Sequence, residues 1–117
     1  MAKKAFFITG TDTNVGKTII AAGLLIAAKK MGLTTAALKP IAAGCEKTNE
    51  GLRNSDALLL RSIITQDLYY EQINPIAFEP AIAPHIAAQQ EKRNLSVERL
   101  SGFCRGVLHS ANVTVVE

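Results

Sequence analysis

Apolar and polar positions along this chain alternate between two rhythms. Ala5-Phe6-Phe7-Ile8-Thr9 is a short β-rich run that ends at Gly10. From Lys17 to Met31 the residues are apolar nearly all round (Ile19, Ile20, Ala21, Ala22, Leu24, Leu25, Ile26, Ala27, Ala28). That predicts a helix packed deep inside a larger body. Gly32, after Lys29-Lys30-Met31, is a good C-terminal stop. Thr34 to Leu38 reads as a second strand, ended by Lys39-Pro40, and Ile41 to Asn54 as a polar loop with Gly44 and Gly51. Ser55-Asp56 opens a helix through Ala57, Leu58, Leu59, Leu60, Ile63 and Ile64, with Asn or Ser as its cap. Asn74-Pro75, Glu79-Pro80 and Ala83-Pro84 punctuate the middle as loops, and His85 to Lys92 reads as a short helix. Val97, Leu100, Phe103, Cys104, Val107 and Leu108 recur on one helical face, with Glu98, Arg99 and Arg105 outside. Val113-Thr114-Val115-Val116 is a mostly apolar strand of the kind buried in parallel sheets.

Strand and helix alternate, so the predicted class is α/β with a mostly parallel sheet flanked by helices. Such sheets bind ligands at the carboxyl ends of their strands. Three strands end in conspicuous residues: the glycine-bounded loop, Lys39 and Glu117. All three are expected to face one crevice. A domain rarely ends on such a strand with no covering helix. Residues 1–117 are therefore expected to be the N-terminal part of a single domain, its sheet truncated after the strand that ends at Glu117.

Composition narrows the choice. The chain has 117 residues, 48 % hydrophobic and 20 % charged, which is a soluble globular balance. The net charge is +3, but no basic run exceeds two residues, so no nucleic-acid footprint is read. The two cysteines, Cys45 and Cys104, lie far apart and suit free thiols in a reducing compartment. The apolar run Ile19 to Ala28 is about half a membrane span and reads as a buried helix, and Ala5 to Ile8, before polar Thr9-Gly10-Thr11-Asp12, is too short for a signal-peptide core. A cytoplasmic location is expected.

The chemistry-bearing stretch is Gly10-Thr11-Asp12-Thr13-Asn14-Val15-Gly16-Lys17-Thr18, set between strand and helix. That is the context in which a phosphate-binding loop makes physical sense. Gly10 permits the turn, and Gly16 keeps a side chain away where backbone meets phosphate. Backbone N–H groups from Thr13 to Thr18 can converge on one anion at the positive end of the helix. Lys17 would reach the terminal phosphates, and the Thr18 hydroxyl would hold Mg²⁺. The usual motif has four residues between its glycines, whereas this one has five.

Five segments in order carry a closer resemblance: Gly-Thr-Asp-Thr-x-Val-Gly-Lys-Thr (10–18), Leu-Lys-Pro-x-Ala-x-Gly (38–44), Gly-Leu-Arg-Asn-Ser-Asp-Ala (51–57), Glu-Pro-x-x-x-Pro-His (79–85) and Val-Val-Glu (115–117). Together they resemble the ATP-dependent dethiobiotin synthetases, over the first half of that family's domain. The nine-residue loop is the family's signature. The resemblance implies a P-loop NTPase fold and a Mg²⁺-dependent homodimer. It also implies an enzyme that uses ATP and CO₂ to close a ureido ring on 7,8-diaminononanoate. The implied catalytic residues are Lys39, beside a carbamate, and Lys17, bridging the β and γ phosphates. The implied ATP contacts are Thr13, Asn14, Val15, Gly16, Lys17, Thr18, Ile19, Asp56 and Glu117. Mg²⁺ would be held by Thr18, Asp56 and Glu117, and substrate by Asp12, Thr13, Lys39 and Ala43. Read alone, Asp56 is more readily a helix N-terminal acid stabilising the dipole, while for Asp12 a loop acid bonding its own backbone is the lesser alternative.

One position departs from the family pattern. Ala43 stands where Ser or Thr is usual, so a hydroxyl contact to substrate is lost and only a backbone contact is left. His85 follows a proline at a helix start and reads as structural. Two other readings share the fold: a partition-type or cobyrinic-acid-amidating ATPase relative, and a non-catalytic nucleotide-binding module. Thr11-Asp12-Thr13 in place of an early second lysine speaks against the partition type.

Overall fold

Three short strands paired in parallel form the sheet that organises the computed structural model, which describes residues 3–9, 15–81, 86, 89 and 97–117. In chain order the elements are β1 (Lys4–Phe7), α1 (Val15–Lys30), β2 (Thr35–Leu38), β3 (Ile41–Ala42), β4 (Glu46–Thr48), β5 (Gly51–Arg53), α2 (Ser55–Ile63), α3 (Tyr70–Ile73), β6 (Ile76–Ala77), α4 (Val97–Leu108) and β7 (Val113–Val116). The sheet order is β1-β7-β2. Register aligns Phe7 and Leu38 with Val116, so all three strands finish at one level. Strands joined by helical crossovers must run parallel in this way, and their carboxyl ends then share one edge.

Side chains of successive strand residues point to opposite faces, and the core divides accordingly. Ala37 and Val115 pack against Ala21 and Leu25 of α1 and Leu60 of α2. Ala36 and Leu38 pack on the other face against Val107 of α4, Ala111, and Tyr70 and Ile73 of α3. The sheet is thus sandwiched between helices, as expected. Helix α2 begins at Asn54, whose side-chain oxygen accepts from the Ala57 N–H at 3.0 Å. Helix α4 buries Val107 along the expected stripe, but Phe103 stays exposed beneath the Arg99 guanidinium.

Three expectations need correction. Helix α1 is covered on one face only: Thr18, Ala21, Leu25 and Ala28 are buried at spacings of three, four and three. Ile19 (61 % exposed), Ile20 and Ile26 lie on the open side. The described residues supply α1 with the sheet and α2 as neighbours, not a second layer. The stretch read as a polar loop, 41–54, holds β3 and the β4–β5 hairpin, in which Glu46 pairs with Arg53 and Thr48 with Gly51. Gly51 takes φ 117°, a conformation other residues avoid. The middle segment carries α3 and β6, the latter pairing in parallel with β3. These pieces are two to four residues long, too short for a hydrophobic period to register. Of the expected helix His85 to Lys92, only Ile86 and Gln89, both helical, are described. No helix among the described residues is long and apolar enough to cross a membrane.

The one-sided burial of α1 gives a direct test. In this chain, Leu25→Ala should cost about 2–5 kcal/mol, because it empties a fully buried position between Ala37, Leu60 and Val115. Ile20→Ala should stay within about 1 kcal/mol, because its side chain is more than half exposed. Chemical denaturation of the two variants checks this, and equal losses would contradict the packing.

Candidate active site

The site is assembled where the strands end. The Ile8 N–H donates to the Val116 carbonyl at 2.8 Å, and the Glu117 N–H to the Leu38 carbonyl at 2.9 Å. These bonds extend the ladder one residue beyond each strand and put Lys39 and Glu117 side by side. Thr18, in the first turn of α1, donates its hydroxyl to Glu117 Oε1 at 2.7 Å. Lys39 Nζ lies 3.9 Å from the same oxygen. Thr18 is 2 % exposed, and the Glu117 side chain 4 %. One helix start and two strand ends therefore converge on one buried carboxylate.

That carboxylate is half satisfied. Oε1 has two neighbours, whereas Oε2 is buried with no hydrogen-bond partner among the described residues. Native structures rarely leave a buried carboxylate oxygen unpaired, and an unmatched one signals an unfilled partner role. A hard cation takes such oxygens at short range. Among the described residues no three His, Cys, Asp or Glu side chains converge. The local donor set is therefore the Glu117 carboxylate with the Thr18 hydroxyl, which suits Mg²⁺ rather than zinc.

The remaining predicted residues distribute as follows. Gly16, the second residue of α1, is exposed, and a Cβ there would meet no atom of the described residues within 4 Å. Lys17 is half-buried beside Thr18, Ile19 is exposed, and Val15 is the first residue of α1. Asp56 is half-buried in the first turn of α2 and forms no ion pair with a described residue. Ala43 is half-buried between β3 and Gly44, which turns at φ 67°. Asp12, Thr13 and Asn14, like Gly10 and His85, lie outside the described residues.

Two features were not found by reading the sequence. An apolar groove of about 590 Å³ opens beside Glu117, lined by Pro40, Ile41, Leu100, Cys104, Leu108 and Val116. Its walls come from a strand end and a helix far apart in sequence, so no local pattern marks it. The second is a buried polar pair, Tyr70 and Asn74, behind Lys39: Asn74 Nδ2 donates to the Lys39 carbonyl at 2.8 Å. Asn74-Pro75 reads locally as a turn signal, and that signal hides the amide's inward role. Both cysteines are free thiols. Burial pushes the Cys104 thiol up from its ordinary value. It does the same at Cys45, against the opposing effects of a backbone hydrogen bond and the Lys39 charge. Neither thiol is primed as a nucleophile.

Comparison with known proteins fits this arrangement. The chain is 63 % identical over 117 residues to an ATP-dependent dethiobiotin synthetase of Cellvibrio japonicus, covering 100 % of this chain and 51 % of that protein. It is 57 % identical over 118 residues to that of Marinobacter nauticus and 58 % over 114 to that of Pseudomonas aeruginosa. Coverage there is 100 % and 97 % of this chain, and 50 % of each relative. The chain thus spans about half the length of the curated relatives it matches. The profile of the AAA domain family matches residues 4–117. With a parallel sheet flanked by helices, and a helix carrying Gly16-Lys17-Thr18 after its first strand, the chain belongs to the AAA domain family and has a P-loop NTPase-type fold.

Proposed function

We propose that the protein carrying this chain is a cyclo-ligase, an ATP-dependent dethiobiotin synthetase, to which residues 1–117 contribute the first part of one domain. The observation that carries this reading is the convergence of Thr18, Lys39 and Glu117 at neighbouring strand and helix ends. A nucleotide-binding loop needs only Lys17 and Thr18. A lysine on a second strand end, beside the buried carboxylate, equips the same crevice for a second anion. The substrates are 7,8-diaminononanoate, CO₂ and ATP. The groove beside Glu117 suits the aliphatic chain of such a diamine acid. The protein acts as a homodimer in the cytoplasm.

One amine of the diamine takes up CO₂ as a carbamate, and Lys39 stabilises that anion. At 3.9 Å its hold on Glu117 is loose, and the ammonium keeps donors for a further partner. A carbamate oxygen attacks the γ-phosphorus of ATP while Lys17 stabilises charge on the transferring phosphoryl group. ADP leaves, and a carbamic–phosphoric anhydride is formed. The second amine attacks its carbonyl carbon, the ring closes, and phosphate departs. Both amines belong to one bound molecule, so closure is intramolecular. Asp12 and Thr13 bind the amines, Ala43 offers its backbone to substrate, and Thr13 to Ile19 wrap the phosphates. Thr18, Asp56 and Glu117 would hold Mg²⁺, which when bound neutralises phosphate charge. Because the Thr18 hydrogen is directed at Glu117, its oxygen lone pairs are free for a cation.

ADP release that depends on both the diamine and bicarbonate is the direct assay, and its absence from the full-length protein would refute the assignment. In that assay Lys39→Ala should lower kcat by about 10²–10³-fold, as expected for loss of a charge-stabilising donor, with ATP affinity nearly unchanged. Lys17→Ala should abolish turnover with the fold intact. A sharp fall in ATP affinity on Lys39→Ala, with turnover preserved, would make Lys39 a nucleotide residue instead.

Magnesium titration separates the carboxylates. Asp56→Asn removes one negative charge and should raise the Mg²⁺ concentration for half-maximal rate several-fold. Glu117→Gln should do so more strongly, because Glu117 alone is bonded to Thr18. Unchanged magnesium titrations in both variants would remove them from the metal site.

A further inference from the structure

We infer that Tyr70 and Asn74 are positioning residues that lock the strand end bearing Lys39 to the helix start bearing Asp56. This inference rests on the function proposed above for those two residues. The physical connection is continuous. The Asn54 N–H, immediately before α2, donates to the Tyr70 hydroxyl oxygen at 2.7 Å. The Tyr70 hydroxyl donates to Asn74 Oδ1 at 2.8 Å. Asn74 Nδ2 then donates to the Lys39 carbonyl at 2.8 Å and to the Ile76 carbonyl at 3.0 Å. The Lys39 N–H closes the circuit on the Ile73 carbonyl at 2.8 Å. Both backbone polar groups of Lys39 are therefore held by α3 and the residue that follows it.

Several features mark this as a device for orientation. Tyr70 is 3 % exposed and Asn74 2 %, so the network sits in low dielectric, where a satisfied chain of hydrogen bonds is rigid and an unsatisfied one costly. The Asn74 amide uses its oxygen and both its hydrogens, which fixes its orientation. Helix α3 spans four residues, too few to be stable alone, and its first residue and the residue after its last carry the pair. The Tyr70 ring is held from the other side by the Arg53 guanidinium at 4.2 Å, which also pairs with Glu71 at 3.2 Å. At the Asn54 end, the same residue that donates to Tyr70 caps α2 through its side chain, two residues before Asp56. A shift of α3 would therefore move Lys39 and Asp56 together.

Tyr70→Phe removes only the hydroxyl and keeps the ring under Arg53. In the full-length protein it should raise the Mg²⁺ requirement by on the order of 10-fold, the effect seen when an outer partner of a ligand is lost. It should also lower kcat, with KM for ATP unchanged. Added to Asp56→Asn, it should raise the Mg²⁺ requirement no further. A lower melting temperature with unaltered kcat and Mg²⁺ titration per folded molecule would overturn the positioning role. Hydrogen exchange supplies a readout without substrate. In Tyr70→Phe, amides at 38–42 and at 54–58 should accelerate together, and acceleration of one segment alone would refute the coupling. If the variant fails to fold, native-state exchange on the unaltered protein decides. The Asn54 and Lys39 amides should then open with one common free energy, and independent opening overturns the inference. Lack of diamine-dependent ADP release in the unaltered protein would sink the proposed function but leave the exchange result standing.

Discussion

The hydrogen bond from Thr18 to Glu117 is the interaction on which the rest of the site depends. It joins residues 99 positions apart, one in the first turn of α1 and one just beyond β7. For it to form, β1 must deliver the chain to α1 at the level where β7 ends. The parallel register does this by aligning Phe7, Val116 and Leu38. A one-residue slip of β7 would turn Val115 out of the α1 face and carry Glu117 away from Thr18. Packing of Val115 against Ala21 and Leu25 therefore enforces the site as well as the fold.

The same register bears on the two cationic residues to which the proposed function gives different tasks. Lys17 arrives on a helix and Lys39 on a strand two positions across the sheet. Their backbones are fixed by unrelated contacts. Thr18, next to Lys17, is buried against the sheet, while Lys39 is held through its own N–H and carbonyl. In the proposed mechanism, mounting them separately would let a phosphate and a second anion be bound without one lysine having to serve both. The groove walled by Ile41, Leu100 and Val116 continues from that point along an apolar surface.

How much of this could be read from the residues depends on the range of the signal. β7 and α2 were legible because each carries its own pattern: a run of β-branched residues, and an Asn before an apolar run with Asp56 in the first turn. Thr18, Lys39 and Glu117 were legible as strand-end and helix-start residues, since topology alone brings such ends together. The degree of burial of α1 was not, because its all-round apolar surface says nothing of which faces find neighbours. Nor was the hairpin at 46–53, whose β4 is exposed throughout and whose turn is specified by Gly51 and the Thr48 hydroxyl bond to its carbonyl. Tyr70 and Asn74 escaped for a further reason. Their roles lie in contacts with Asn54 and Lys39, up to 35 residues away, and Asn-Pro has a sufficient local meaning as a turn.

In the function proposed above, function and stability oppose one another at Glu117. Burying a carboxylate oxygen without a partner costs about 1–3 kcal/mol or more, a sizeable part of an ordinary domain's margin of about 5–15 kcal/mol. A glutamine of the same shape would relieve the charge and keep an acceptor for Thr18. In the function proposed above, a bound cation would satisfy Oε2, which has no partner among the described residues. A cation there would regain that cost on binding, at a group the fold already holds in place. Buried Val115, Leu38 and Leu25 hold together the sheet whose end carries that carboxylate.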